Sequence, residues 1–228
     1  FIKMNRINPA VASRGAASVL ETNKVLRNTY MLLAMTLLFS GLTAGISMFV
    51  NPPPMTSLIT LGASFLLMWF VLPKAANSSA GIGVVFLITG LLGFGLGPTL
   101  NYYLSMASGA NIVMLSLAGT GTIFLALSGY VLTTKKDFSF LGGFLVAGFF
   151  VVLLAAIANI FLGIAGLSLA ISAVVIMIMS GFILYDTSRI VRGGETNYIM
   201  ATMGLYLNLY NIFVSLLHLL GALGGGDD

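Results

Sequence analysis

Seven apolar runs of membrane length divide this chain, and every lysine and arginine falls in alternate gaps between them. The runs lie at roughly 29–50, 55–73, 81–104, 110–133, 140–162, 167–186 and 199–221, each near the ~20 residues that a helix needs to cross a bilayer. The leading segment holds Lys3, Arg6, Arg14, Lys24 and Arg27; the second gap holds Lys74, the fourth Lys135 and Lys136, the sixth Arg189 and Arg192. The remaining gaps and the C-terminal tail hold none. Insertion retains positive charge on the cytoplasmic side, so the N-terminus is expected inside and, after an odd number of spans, the C-terminus outside.

Composition agrees with a bilayer as solvent. The chain is 58% hydrophobic and 7% charged, against about 25% charged in an ordinary soluble domain. A net charge of +4 would suggest nucleic acid in a soluble protein, but topology already accounts for each basic residue, so no nucleic-acid partner is expected. Cysteine is absent, which removes disulfides, thiolate metal sites and thiol nucleophiles. The first run carries no cleavage pattern and reads as a signal anchor.

Residues 1–28 read as a flexible basic cytoplasmic tail, with Thr22 or Asn23 capping the first helix. Residues 29–221 read as the transmembrane domain and 222–228 as a short outer tail. Short connectors leave no room for a soluble domain: Asn51-Pro52-Pro53-Pro54, Thr133 to Ser139, and Gly163 to Gly166. Spanning by helices follows, because lipid offers backbone groups no partner and the runs are twice the length of barrel strands. The expected fold is therefore an all-α seven-helix bundle, six helices surrounding a polar seventh. Gly41 and Gly45 in the first run, and Gly93 and Gly97 in the third, are spaced for close helix packing. Pro98 is expected to kink or break the third helix.

Polar residues inside the spans mark the candidate sites. Ala201, Gly204, Asn208, Asn211, Ser215, His218 and Ala222 recur every three or four residues and share one face of the seventh helix. That stripe suits interhelical hydrogen bonding, or the lining of an ion or proton route. Asp186, at the end of the sixth run, is an intramembrane acid and a functional candidate. Arg189, three residues on, stands at ion-pair spacing from it. His218 has no second histidine with which to hold a metal and is expected to make an interfacial hydrogen bond.

Several enzyme classes fail on these residues. A retinal protein needs a lysine in its last span, and there is none. An intramembrane aspartyl protease needs two membrane-level aspartates, and only Asp186 qualifies. A rhomboid-like pair would join Ser64 to His218, whose depths differ by roughly 9 Å. Neither a catalytic residue nor a cofactor is expected.

Three stretches carry a resemblance. They are Ile183-Leu184-Tyr185-Asp186-Thr187-Ser188-Arg189-Ile190, Gly193-Gly194-Glu195-Thr196-Asn197-Tyr198-Ile199, and Leu205-Tyr206-Leu207-Asn208-Leu209-Tyr210-Asn211-Ile212-Phe213. Together with Lys24 to Tyr30, Leu96-Gly97-Pro98 and Tyr130 to Gly143, they resemble the transmembrane Bax-inhibitor-motif family, most closely its bacterial branch, from about residue 21 onward. The resemblance implies a partner, substrate and modulator of the inner-membrane protease FtsH and its associated membrane regulators, with the N-terminal tail as the handle. Lys3, Arg6 and Arg14 lie in that tail. It also implies, as an alternative, a calcium leak channel closed by two aspartates at the cytoplasmic ends of helices 6 and 7. Asp186 matches the first aspartate, while Asn208 stands in place of the second. Asp186, Asn208, Arg189 and Asn211 are accordingly the gate or latch residues. Asp186 alone is a weak calcium candidate, and an Asp186–Asn208 hydrogen bond would latch the two helices.

Overall fold

The computed structural model describes residues 9–224, with side chains from residue 20 onward. Seven of its helices are long and apolar enough to span a membrane, and the described residues contain no strand. They are α1 (Pro9–Val50), α2 (Met55–Ala75), α3 (Ala80–Leu104), α4 (Gly109–Thr134), α5 (Gly142–Leu162), α6 (Ala165–Val191) and α7 (Tyr198–Gly224).

The largest departure from the sequence reading is at the start. Helix α1 begins at Pro9, well before Thr22 or Asn23, so residues 9–28 are helical rather than a loose tail. The reason is local: Ala10, Ala12, Ala16 and Ala17 are strong helix formers, proline is tolerated in the first helical turn, and a helix already nucleated by the membrane span extends cheaply. Arg14 therefore sits on α1, whereas Lys3 and Arg6 lie outside the described residues. The sixth and seventh helices also exceed their apolar runs, to Val191 and Gly224. Asp186 is thus five residues inside α6 rather than at its edge, and the expected outer tail begins later than residue 222.

Proline acts differently in two helices. In α2 the turn Leu67–Val71 widens into a π-helix just before Pro73. The proline ring lacks an N–H and crowds the carbonyl of Trp69, and an expanded turn relieves both. In α3 the helix passes through Pro98 without a break. Ser57 of α2 donates its hydroxyl to the Gly95 carbonyl at 2.6 Å, one residue beyond the Phe94 carbonyl that Pro98 leaves without its helical donor.

The expectation of six helices around a seventh is corrected as well. α7 packs against α1, α3, α4 and α6, whereas α2 rests mainly on α3 and α5 on α6. The most enclosed span is α3, and the least enclosed is α5. Three apolar clusters fill the interior, and α7 belongs to all of them through Leu205 and Leu209, through Phe213 and Leu217, and through Ile212. The Leu205–Leu209–Ile212 side of α7 is therefore interior packing rather than a lipid face.

The two glycine pairs separate. A Cβ on Gly93 would strike Ser40 and Thr43 of α1, and one on Gly97 would strike Ser47, so this pair lets α1 and α3 touch. Gly41 and Gly45 have open space beside them. They line a cleft of about 440 Å³ between α1 and α4, floored by Tyr206 and Tyr210 of α7.

Candidate functional site

The small polar stripe of α7 faces α6. Near the basic end of the bundle, the Asn208 side-chain amide donates to Asp186 Oδ2 at 2.8 Å. Gly204, one turn earlier on α7, makes room: a Cβ there would lie 3.3 Å from the same oxygen. The carboxylate is thus set against the α7 backbone, with an amide as its hydrogen-bond donor.

Arg189 does not pair with Asp186. Its guanidinium lies 3.2 Å from Glu195 Oε2, donates to the Gly194 carbonyl at 3.3 Å, and covers the Tyr185 ring. The connector between α6 and α7 folds back over the end of α6, so it offers Arg189 a carboxylate and a carbonyl together. A planar guanidinium is suited to two acceptors at once. The other oxygen of Glu195 accepts the Asn197 backbone N–H at 2.9 Å.

Asn197 is a site residue that the sequence pattern did not single out. Its Oδ1 caps α7 by accepting the N–H groups of Ile199 at 2.9 Å and Met200 at 3.1 Å. Its amide donates to the Ala76 carbonyl at 3.0 Å and to Asn77 Oδ1 at 2.9 Å. One side chain thereby fastens the start of α7 to the connector between α2 and α3. An asparagine just ahead of an apolar helix was the available signal; its second partner, more than a hundred residues away in sequence, left none.

The remaining predicted residues stand apart from this pair. Asn211 donates to its own helix at the Leu207 carbonyl, 2.8 Å away, and lines a small cavity of about 160 Å³ among Val152, Val175 and Ile178. His218 Nδ1 lies 2.8 Å from the Ser172 hydroxyl of α6. Ser64 donates to the Ile88 carbonyl of α3, at 3.4 Å, so it forms no dyad with His218. Elsewhere near the basic end, Tyr30 of α1 hydrogen-bonds Ser128 of α4, whose hydroxyl is 3.4 Å from Thr187 of α6. Arg192 pairs with Asp137 at 3.2 Å, and Ser188 accepts the Phe138 N–H at 3.0 Å. These contacts hold the α4–α5 connector against the end of α6.

The donor set does not fit calcium, which takes six to eight oxygen ligands. Among the described residues Asp186 brings the one carboxylate of the seam, and Asn208 turns its amide nitrogen toward it. Among the described residues no three His, Asp or Glu side chains gather to hold a metal.

Fold and site together define a multi-pass membrane protein built around a hydrogen-bonded seam between its last two helices. Residues 22–225 match the family described as inhibitor of apoptosis-promoting Bax1, and the chain belongs to this Bax inhibitor family. It is 53% identical over 210 residues to a protein of Escherichia coli named "Modulator of FtsH protease YccA", covering 92% of this chain and 95% of the relative. An equally similar protein of a second Escherichia coli strain is named "Inner membrane protein YccA". An uncharacterized membrane protein of Vibrio cholerae is 50% identical over 208 residues, 91% of this chain and 93% of the relative. This chain is accordingly a multi-pass protein of the bacterial inner membrane.

Proposed function

We propose that this protein is a partner and substrate of FtsH that modulates the protease by occupying it while resisting or delaying degradation. The observation that carries this reading is the 53% identity, over 92% of the chain, to a relative named as an FtsH modulator. The partition of basic residues supports an orientation with the N-terminus in the cytoplasm, where a membrane-anchored AAA+ protease would grip the segment carrying Lys3, Arg6 and Arg14. The protein acts in this reading by binding, with no catalytic step. Asp186 and Asn208 latch α6 to α7 and keep the bundle closed.

The test is turnover of the full chain, and of a variant lacking residues 1–20, in cells with and without FtsH, together with co-purification. The expected result is FtsH-dependent turnover of the full chain, slowed in the truncated one. Equal turnover in every strain and no recovery of FtsH with the protein would remove the proposal.

A further inference from the structure

A protease pulling from the N-terminal side would draw out α1 first, and α1 is tied into the enclosed part of the bundle from Thr29 to Met48. Thr202 of α7 donates to the Thr29 carbonyl at 3.2 Å. Ser40 and the Tyr206 hydroxyl share a buried hydrogen bond of 2.6 Å. Beside it, Gly93 and Gly97 of α3 receive Ser40 and Ser47 so closely that neither glycine has room for a Cβ. At the far end, Asn101 of α3 donates to the Met48 carbonyl at 3.1 Å and to Asn51 Oδ1 at 2.9 Å. Leu32, Leu33 and Ala44 fill the intervals and are buried.

Because α1 is one helix from Pro9 to Val50, tension at its end is carried along the axis with no hinge to absorb it. A slide toward the cytoplasm must drag Ser40 and Ser47 out of their glycine notches while the Ser40–Tyr206 pair opens. Lipid offers the freed Ser40 hydroxyl no replacement partner, while the Tyr206 hydroxyl is left with only the Thr89 carbonyl, 3.4 Å away. The outer helices are each held by one neighbour: α5 meets α6 through Asn159 and Ser168 at 2.7 Å and through Leu145 seated on Gly181, and α2 meets α3 through Ser57, Ser64 and Thr60 seated on Gly95, but among the described residues neither hydrogen-bonds α7.

We propose that this interlock of α1 with α3 and α7 sets the delay in extraction, so that the first helix to be pulled is among the hardest to release. The inference rests on the reading of the chain as an FtsH substrate. Its test compares Ser40→Ala and Tyr206→Phe with Ser64→Ala and Asn159→Ala. All are made in the full chain behind one common unstructured leader, so that engagement is equal. Degradation is followed with FtsH and, separately, with an unrelated AAA+ protease recruited through a degron on the leader; unfolding in detergent is followed in parallel.

The two α1-interlock variants are expected to degrade about threefold faster with either protease, which corresponds to about 0.6 kcal/mol for one interhelical hydrogen bond at 1.36 kcal/mol per tenfold. The outer variants should keep the wild-type rate. Equal acceleration of all four, or of none, overturns the interlock. If FtsH spares every variant while the second protease keeps the ranking, the interlock stands and the FtsH reading falls.

Discussion

Asn208 donates its amide to the Asp186 carboxylate at 2.8 Å, while Arg189, the nearest basic residue along α6, pairs instead with Glu195 at 3.2 Å. The seam between α6 and α7 is therefore held by an acid and an amide, and the ion pair lies outside it, joining the end of α6 to the connector.

Asp186→Asn is expected to be nearly neutral for stability, because an amide oxygen still accepts from Asn208. Asn208→Leu, which removes the donor and leaves a carboxylate against α7 without its partner, should destabilise by about 1–3 kcal/mol. Thermal unfolding in detergent of both single variants and the double variant measures this. A double-mutant coupling energy near zero would show that the pair holds nothing.

Asn197→Ala should lose both the cap of α7 and the tie to Ala76 and Asn77, a cost of about 1–2 kcal/mol. Asn197→Asp keeps the capping oxygen and loses the donor, so it should recover roughly half. The readout is again unfolding. A second readout is the distance between spin labels on α2 and α7, introduced as cysteines into a chain with none of its own.

Gly93→Leu and Gly97→Leu should lower the yield of stable protein, because the added side chains meet Ser40 and Ser47, with an overpacking cost of about 1–3 kcal/mol or more. Gly41→Leu and Gly45→Leu point into the open cleft and should stay within about 0.5 kcal/mol of wild type. Yield and monodispersity after extraction distinguish the two pairs, and equal tolerance at all four positions would contradict the packing.

Asp137 is the titrating group to follow outside the spans. The Ser139 backbone N–H and hydroxyl, and then Arg192, hold its carboxyl below the ordinary value of 3.8. A depressed acid stabilises above the unfolded value and loses that contribution as pH falls through the folded one. Mobility of the α4–α5 connector should therefore be constant from neutral pH down to about 4 and rise only below the ordinary carboxylate range. Spin-label line shapes at Lys135 measure this, and loosening already at pH 5–6 would sink the assignment.

How much of this was legible beforehand depends on the range of the interaction. The pairing of Asp186 with Asn208 could be foreseen only with the resemblance in hand, since nothing in the spacing of α6 alone says which neighbour an acid will find. Local spacing instead favoured Arg189, and it was misleading: the folded-back connector supplies two acceptors in one place. Gly41–Gly45 and Gly93–Gly97 are the same motif by sequence, yet only the second is in contact. Pro73 and Pro98 are likewise similar on paper, and one widens a helix where the other passes through. In each case the outcome was set by what lies across from the residue, on another helix.

By itself the sequence determined the solvent, the number of spans and the alternation of basic residues between gaps, because lipid forbids unpaired backbone and insertion sorts basic residues by local composition. Tertiary structure decided which helices are enclosed, which glycines touch and which partner each buried polar group takes. Those choices rest on close packing and hydrogen bonding between helices far apart in the chain, where apolar lipid faces and apolar packing faces are spelled with the same residues.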